Sequence, residues 1–243
     1  MNQSATKEWF NKWAKEYDEI LPQVPAYQQM AEAIIKDSVV RDDDYVLDIG
    51  CGTGFLSLKF LDAARCKLFG LDISEEMVAI FRRKLEEVDS GFKERTQIRM
   101  GTATELPFEN GSFDIVASSF TLHHLPGDEK PRAIREIYRV LKSGGRLLIG
   151  EMNMDTTGSL DDVQRLYRIM KVLTEQLAIL VDTLGHKVFY RMFDNAKKHL
   201  LNDGEFCISL KMWAAICKEI GFRNIKIHTP ENTKIFGYLV CEK

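Results

Sequence analysis

The segment Asp48-Ile49-Gly50-Cys51-Gly52-Thr53-Gly54 constrains the fold more than any other part of the chain. It ends Tyr45–Ile49, a short apolar run that reads as a buried strand. It opens Thr53–Ala64, where Phe55, Leu58, Phe60 and Leu61 fall on a helical face expected to meet a sheet. A strand that becomes a helix within a few residues needs backbone angles that a Cβ resists, and glycine supplies them. The helix start also leaves unpaired N–H groups, so a ligand can approach the main chain there.

The same alternation continues downstream. Lys67–Leu71 reads as a second strand. Ser74 is placed to cap a helix carrying Met77, Ile80, Phe81, Leu85 and Val88. Thr96–Met100 and Phe113–Ser118 read as further strands. Lys130–Leu141 reads as a helix with Ile134, Ile137, Tyr138 and Leu141 in its stripe; Ser143-Gly144-Gly145 breaks it, and Arg146–Ile149 forms the next strand. This pattern predicts an α/β fold, a Rossmann-like parallel sheet with helices on both faces. Right-handed crossovers bring the strand ends to one edge, where ligands bind at the reversal of strand order. At the end of the chain, Leu210–Ile220 is a helix stopped by Gly221. Phe222–Ile227 and Ile235–Cys241 then form a terminal antiparallel strand pair, because no helix fits between them.

Residues 151–206 do not fit the alternation. Ser159 is expected to cap a long helix with Asp161 and Asp162 in its first turn. Its apolar stripe runs from Leu160, Val163, Leu166, Tyr167 and Met170 to Leu184, with Gly185 as stop and a second helix over Lys187–Leu201. The stripe is expected to pack the helix onto the body or form an interface. The division is therefore 1–150 with 207–243 as the Rossmann-like domain with N-terminal lid helices, and 151–206 as an inserted helical cap. The cap is a candidate substrate region or homodimer interface.

A net charge of -3 over 243 residues gives no electrostatic reason to expect a nucleic-acid partner. The five cysteines contain no CxxC pair, so neither a disulfide framework nor a zinc site is expected, and a cytoplasmic setting fits. The longest apolar run, Met212–Cys217, is too short for membrane insertion, and the opening MNQSATKEWF lacks a signal-peptide core. No His, Cys or acidic cluster has metal-ligand spacing.

Two cofactor classes use a glycine turn of this kind. A dinucleotide site favours GxGxxG, but here the third glycine position is Phe55. That counts against a nicotinamide-dependent oxidoreductase. Asp72, ending the second strand, is a carboxylate able to accept hydrogen bonds from both hydroxyls of a ribose.

With these pieces in place the chain resembles the class I S-adenosylmethionine-dependent methyltransferases. It is most similar to the small-molecule branch that includes the ubiquinone/menaquinone C-methyltransferases. The resemblance rests on Val46–Gly54, then Gly70-Leu71-Asp72-Ile73-Ser74 with Met77, then Leu106-Pro107-Phe108 and Ser112-Phe113-Asp114. It continues through Leu122-His123-His124 and Val140–Arg146, with Trp13–Asp18 resembling a segment that closes over the cofactor. It implies S-adenosyl-L-methionine as cofactor and S-adenosyl-L-homocysteine as product. Asp48 and the turn Gly50, Cys51, Gly52 and Gly54 would hold the methionine end, and Asp72 the ribose. Ile73 and Met77 would flank the adenine; Ser118 and Ser119 would lie near the methionine portion, and Tyr17 would be a lid contact. Thr102, followed by Ala103, stands where the family usually has Asp or Asn beside the adenine amine. Ser143 replaces a usual Pro.

The implied reaction is in-line displacement onto a small, partly apolar acceptor, in which the protein aligns the nucleophile and excludes water. His123 and His124 are the first candidates for a proton acceptor, and Glu151 a weaker one. Alternatives are a protein acceptor or a non-catalytic cofactor-binding module. Methylation of a base amine is disfavoured, because Ser118-Ser119-Phe120-Thr121 replaces the usual Asn/Asp-Pro-Pro-aromatic run.

Overall fold

A computed structural model describes residues 3–88, 90–159, 161–184, 190, 206–229 and 236–243. Seven strands form one sheet: β1 (Tyr45–Ile49), β2 (Lys67–Asp72), β3 (Thr96–Met100), β4 (Phe113–Ser119), β5 (Leu141–Met152), β6 (Arg223–His228) and β7 (Phe236–Glu242). Their order is β3-β2-β1-β4-β5-β7-β6. The first five strands pair in parallel, whereas β7 runs antiparallel to both β5 and β6. The expected Rossmann-like α/β sheet with a terminal antiparallel pair is thus what forms. Strand order reverses between β1 and β4, which opens a crevice at their C-terminal ends.

Helices cover both faces. One core joins α2 (Pro25–Ser38), α3 (Phe55–Ala63) and α4 (Glu75–Glu87) to the sheet through Met30, Ile34, Phe60, Leu68 and Phe81. The other joins α6 (Glu129–Val140) and a C-terminal helix, Leu210–Ile220, through Ile134, Ile137, Leu147 and Trp213. The N-terminal helix α1 (Gln3–Ile20) lies against α4. Asn11 Oδ1 takes hydrogen bonds from the Ser74 hydroxyl at 2.7 Å and the Glu76 N–H at 3.4 Å, and Lys7 pairs with Glu75 at 2.7 Å. A short helix α5 (Ser90–Glu94) precedes β3.

Several boundaries differ from those the sequence predicts. α3 starts at Phe55, and Leu56 and Phe60 carry its burial while Phe55 and Leu58 are half-buried. Val88 is exposed, beyond the last turn of α4. α6 covers Glu129–Val140, and Leu141 already pairs with Phe113 in the sheet. The glycine break shows up as a register shift between Phe113 and Ile115, after which Arg146 to Gly150 pair with β4. β5 then runs to Met152, so Glu151 belongs to the sheet and not to the insertion.

The long helix of the insertion, α7, spans Val163–Leu184. Its cap is Asp162, whose carboxylate accepts the Gln164 N–H at 2.9 Å, and not Ser159. Over the first turns of α7 the expected stripe does not face the body: Val163, Leu166, Tyr167 and Met170 are exposed, while Arg165 and Ile169 are buried. Periodicity marks a stripe but not the partner it meets. Here Arg165 Nε donates to the Thr156 carbonyl at 2.6 Å, and that bond turns the opposite side of the helix inward. Gly185 and the second helix expected over Lys187–Leu201 lie outside the described residues. Leu210–Ile220, here α8, is stopped by Gly221 at φ 118° as predicted.

The turn glycines have separate jobs. Gly50 (φ 69°) and Gly54 (φ 88°) leave room for protein side chains, because an added Cβ would lie 2.0 Å from Thr121 Oγ1 or 2.1 Å from Phe81 Cδ2. A Cβ on Gly52 (φ 52°) would meet nothing nearer than 4.0 Å, so that stretch of backbone is open to a ligand. Gly54→Ala should therefore lower unfolding free energy by about 1–3 kcal/mol, from overpacking against Phe81 and left-handed strain. Urea denaturation would read this as a lower midpoint at unchanged slope.

Candidate cofactor and acceptor site

The crevice at the β1/β4 reversal is a cavity of about 380 Å³. Gly50 and Gly52 form its floor. Asp72, Ile73 and Met77 form one wall, continued by Gly101, Thr102 and Ala103. Phe10 and Tyr17 of α1 close it from above, and the segment after β4, with Phe120, His124 and Glu129, forms the remaining wall.

Asp72 holds the two loops of this cradle together. Its Oδ2 accepts the Gly52 N–H and its Oδ1 the Ser74 N–H, both at 2.8 Å. Burial raises its pKa, and those backbone donors oppose the rise. Each carboxylate oxygen keeps lone-pair capacity for a further donor.

A smaller annex behind Gly50 is lined by Tyr17, Tyr27, Asp48, Cys51 and Ser119. Asp48 is buried and accepts the Ser57 hydroxyl at 2.6 Å. Burial pushes its carboxyl up to about 7, with the Ser57 bond opposing and the Asp72 charge adding. Burial also raises the Tyr27 phenol to about 12 and holds Tyr17 well above its usual value. Phe55, at the position where a dinucleotide site wants glycine, stacks on Tyr27 at 4.8 Å. Ser119 Oγ is buried with no hydrogen-bond partner.

The turn after β4 is clamped at both ends. Glu151 is fully buried, and its Oε1 accepts the N–H groups of Thr121, Leu122 and His123 at 3.2, 2.8 and 3.2 Å. Its Oε2 lies 2.6 Å from His123 Nδ1. At the other end the buried Lys130 ammonium donates to the carbonyls of Leu122, His123 and Leu125. Its charge lies 5.4 Å from the Trp213 ring centre, and burial lowers its pKa to about 8. A carboxylate at the N–H end and an ammonium at the carbonyl end both complement the turn dipole.

Most of the residues singled out from sequence converge here. Tyr17, Gly50, Gly52, Asp72, Ile73, Met77, Thr102, Ala103 and His124 line the main cavity, and Asp48, Cys51 and Ser119 the annex. Others lie elsewhere. Gly54 packs on Phe81, and Ser118 Oγ donates to the Ile49 carbonyl inside the sheet. His123 is buried against Glu151, while the neighbouring His124 ring, 3.9 Å away between centres, reaches the cavity. Sequence reasoning passed over Phe10, Tyr27, Phe120 and Glu129, and Lys130 as a clamp. Each looks like an ordinary helix or loop residue until the chain folds.

The open backbone at Gly52, the carboxylate at Asp72, the apolar pair Ile73 and Met77, and the unpartnered Ser119 hydroxyl suit an adenosyl group joined to an amino acid. Comparison with known proteins agrees. Residues 47–149 match the methyltransferase domain family. A demethylmenaquinone methyltransferase of Symbiobacterium thermophilum is 35% identical over 148 residues, covering 58% of this chain and 57% of the relative. The chain thus spans little more than half the length of that curated relative. Among solved structures, a proposed S-adenosylmethionine-dependent methyltransferase of Methanococcus maripaludis shares the fold with a TM-score of 0.65 at 23% identity, covering 96% of this chain and 93% of that one. The [4+2]-cyclase SpnF shares it with a TM-score of 0.60 at 18% identity, covering 89% and 79%. The fold by itself therefore does not specify methyl transfer. The ordered motifs on the cavity wall, together with the domain match over residues 47–149, make this chain similar to S-adenosylmethionine-dependent methyltransferases, the demethylmenaquinone enzymes among them.

Proposed function

We propose that the protein transfers a methyl group from S-adenosylmethionine to a small, partly apolar acceptor. The observation that carries this is convergence: the Gly52 backbone, Asp72, Ile73, Met77 and Ala103 share one cavity with a wall of Phe10, Phe120 and His124. The first set suits the cofactor, and the second leaves an apolar face for the acceptor. When bound, the cofactor supplies an activated methyl group on a sulfonium sulfur.

The chain's own work is orientation, exclusion of water and handling of a proton. Asp72 would take the ribose hydroxyls, and Asp48 in the annex would face the cationic amino-acid end. Phe10 meets the His124 ring edge-on at 4.9 Å, which covers the cavity with an aromatic contact. His124 is the proposed acceptor of any proton the nucleophile loses. His123, held by Glu151 against the His124 ring, acts as a positioning residue. The insertion that follows β5, residues 153–206, is the proposed specificity element; Phe206 donates its N–H to the His123 carbonyl at 2.9 Å, which links that segment to the turn.

Calorimetry with S-adenosylmethionine and S-adenosylhomocysteine tests the assignment directly, and absence of binding by both would refute it. Asp72→Asn should weaken S-adenosylhomocysteine binding by about a hundredfold, from lost charge-assisted bonds to the ribose. In the free protein Asp48 stays protonated below about 7. A cationic ligand end favours its ionised form, so binding below that pH must release a proton. Affinity for S-adenosylhomocysteine should accordingly rise with pH and level off above 7, and Asp48→Asn should flatten the profile. Glu151→Gln leaves one amide donor facing the buried N–H groups of the turn. It should cost about 2–4 kcal/mol of stability in urea denaturation. An unchanged midpoint would show that the clamp does not hold the turn.

A further inference from the structure

Helix α7 is held to the body by one side and shows an apolar row on another. On the held side, Arg165 Nε donates to the Thr156 carbonyl at 2.6 Å, and a guanidinium nitrogen of Arg168 donates to the Thr157 carbonyl at 2.9 Å. Ile169 is fully buried there. On the other side Val163 is 72% exposed and Tyr167 69%, and Leu166, Met170 and Val181 are exposed as well. Scattered exposed apolar residues are ordinary on a protein surface; a row of them along one helix is not.

The spacing of that row indicates what fits it. Val163, Leu166 and Met170 begin a seven-residue repeat. The sequence continues it with Leu173, Leu177, Leu180 and Leu184, to the last residue of the helix. This is the period with which one helix packs along another, knobs into holes. On the flank of the row, Tyr167, Thr174 and Val181 are exposed and uncharged, so they widen the apolar face without setting like charges across it. The 22 residues of α7 give a seam about 33 Å long. A free peptide of that length is a marginal helix, but α7 is already anchored on a folded body, so pairing has little ordering to offset.

Charge selects the occupant and its direction. α7 carries Arg165, Arg168 and Lys171 in its first half, and Glu175 and Asp182 in its second. A second copy running antiparallel sets each basic half beside an acidic half and opposes the two helix dipoles; a parallel copy sets like beside like. An anionic lipid surface would meet Glu175 and Asp182, and also Asp161 and Asp162 just ahead of the helix, which suits it poorly.

We propose that α7 is a homodimer interface, in which two copies of this chain pair antiparallel through the heptad face about a two-fold axis near Thr174. Such an interface is self-complementary and closes at two copies. Sedimentation velocity of the full-length chain from 1 to 200 μM should show a reversible monomer–dimer equilibrium with a dissociation constant on the order of 10 μM. The double variant Leu166→Glu, Met170→Glu puts four carboxylates into the seam and should raise that constant about a hundredfold or more, with an unchanged far-UV circular dichroism spectrum. Direction is read by cross-linking with a short bis-maleimide, because the five native cysteines are buried. A Tyr167→Cys chain mixed with a Val181→Cys chain should cross-link, as should Thr174→Cys with itself, whereas Tyr167→Cys alone should not. A chain that stays monomeric throughout would overturn the proposal, and so would a dimer indifferent to the two glutamates. Self-cross-linking of Tyr167→Cys as efficient as the mixed pair would overturn the antiparallel arrangement. A monomer that instead co-sediments with phosphatidylglycerol vesicles would give the face to a membrane.

Discussion

Two hydrogen bonds to Asp72, from the N–H groups of Gly52 and Ser74, join the glycine turn after β1 to the start of α4 after β2. Much of the site depends on this carboxylate. It fixes the exposed Gly52 backbone and places Ile73 and Met77 beside it. It also anchors Ser74, which caps α4 and accepts the Met77 N–H at 3.2 Å. Through the Ser74 hydroxyl the same link reaches Asn11 and holds α1 over the cavity. Loosening Asp72 would release the floor, one wall and the cover together.

The opposite wall is organised by a second buried carboxylate, Glu151. A carboxylate that accepts three backbone N–H groups and faces an imidazole is well satisfied despite complete burial. Lys130 completes the arrangement from the carbonyl end. The consequence is a rigid turn that separates two adjacent histidines, one locked in the interior and the other presented to the cavity.

The same scaffold supports more than one chemistry, as its likeness to a cyclase illustrates. In this chain the cavity wall facing Asp72 is built from α1, the turn after β4 and the first turn of α6. None of these belongs to the glycine turn or to the acid after β2.

Much of the sheet and of the cavity wall at the glycine turn was legible in the sequence, because both depend on local rules. Alternating strand and helix periods dictate a parallel sheet, and a sharp strand-to-helix turn demands glycine. Gly50, Gly52, Asp72, Ile73 and Met77 sit at fixed offsets from strand ends, so position in the chain implied position in the cavity. The opposite wall obeys no such offset. Whether His123 or His124 reaches the cavity is set by Glu151, which is distant in sequence and adjacent only in the folded sheet. The exposed face of α7 was settled in the same way, by the bond from Arg165 to Thr156. Sequence alone determined the elements and the wall that the glycine turn and Asp72 form, because those follow from spacing along one strand and turn. Only the tertiary structure decided which side chains meet across the cavity, because burial and hydrogen-bond partners come from segments that the chain keeps far apart.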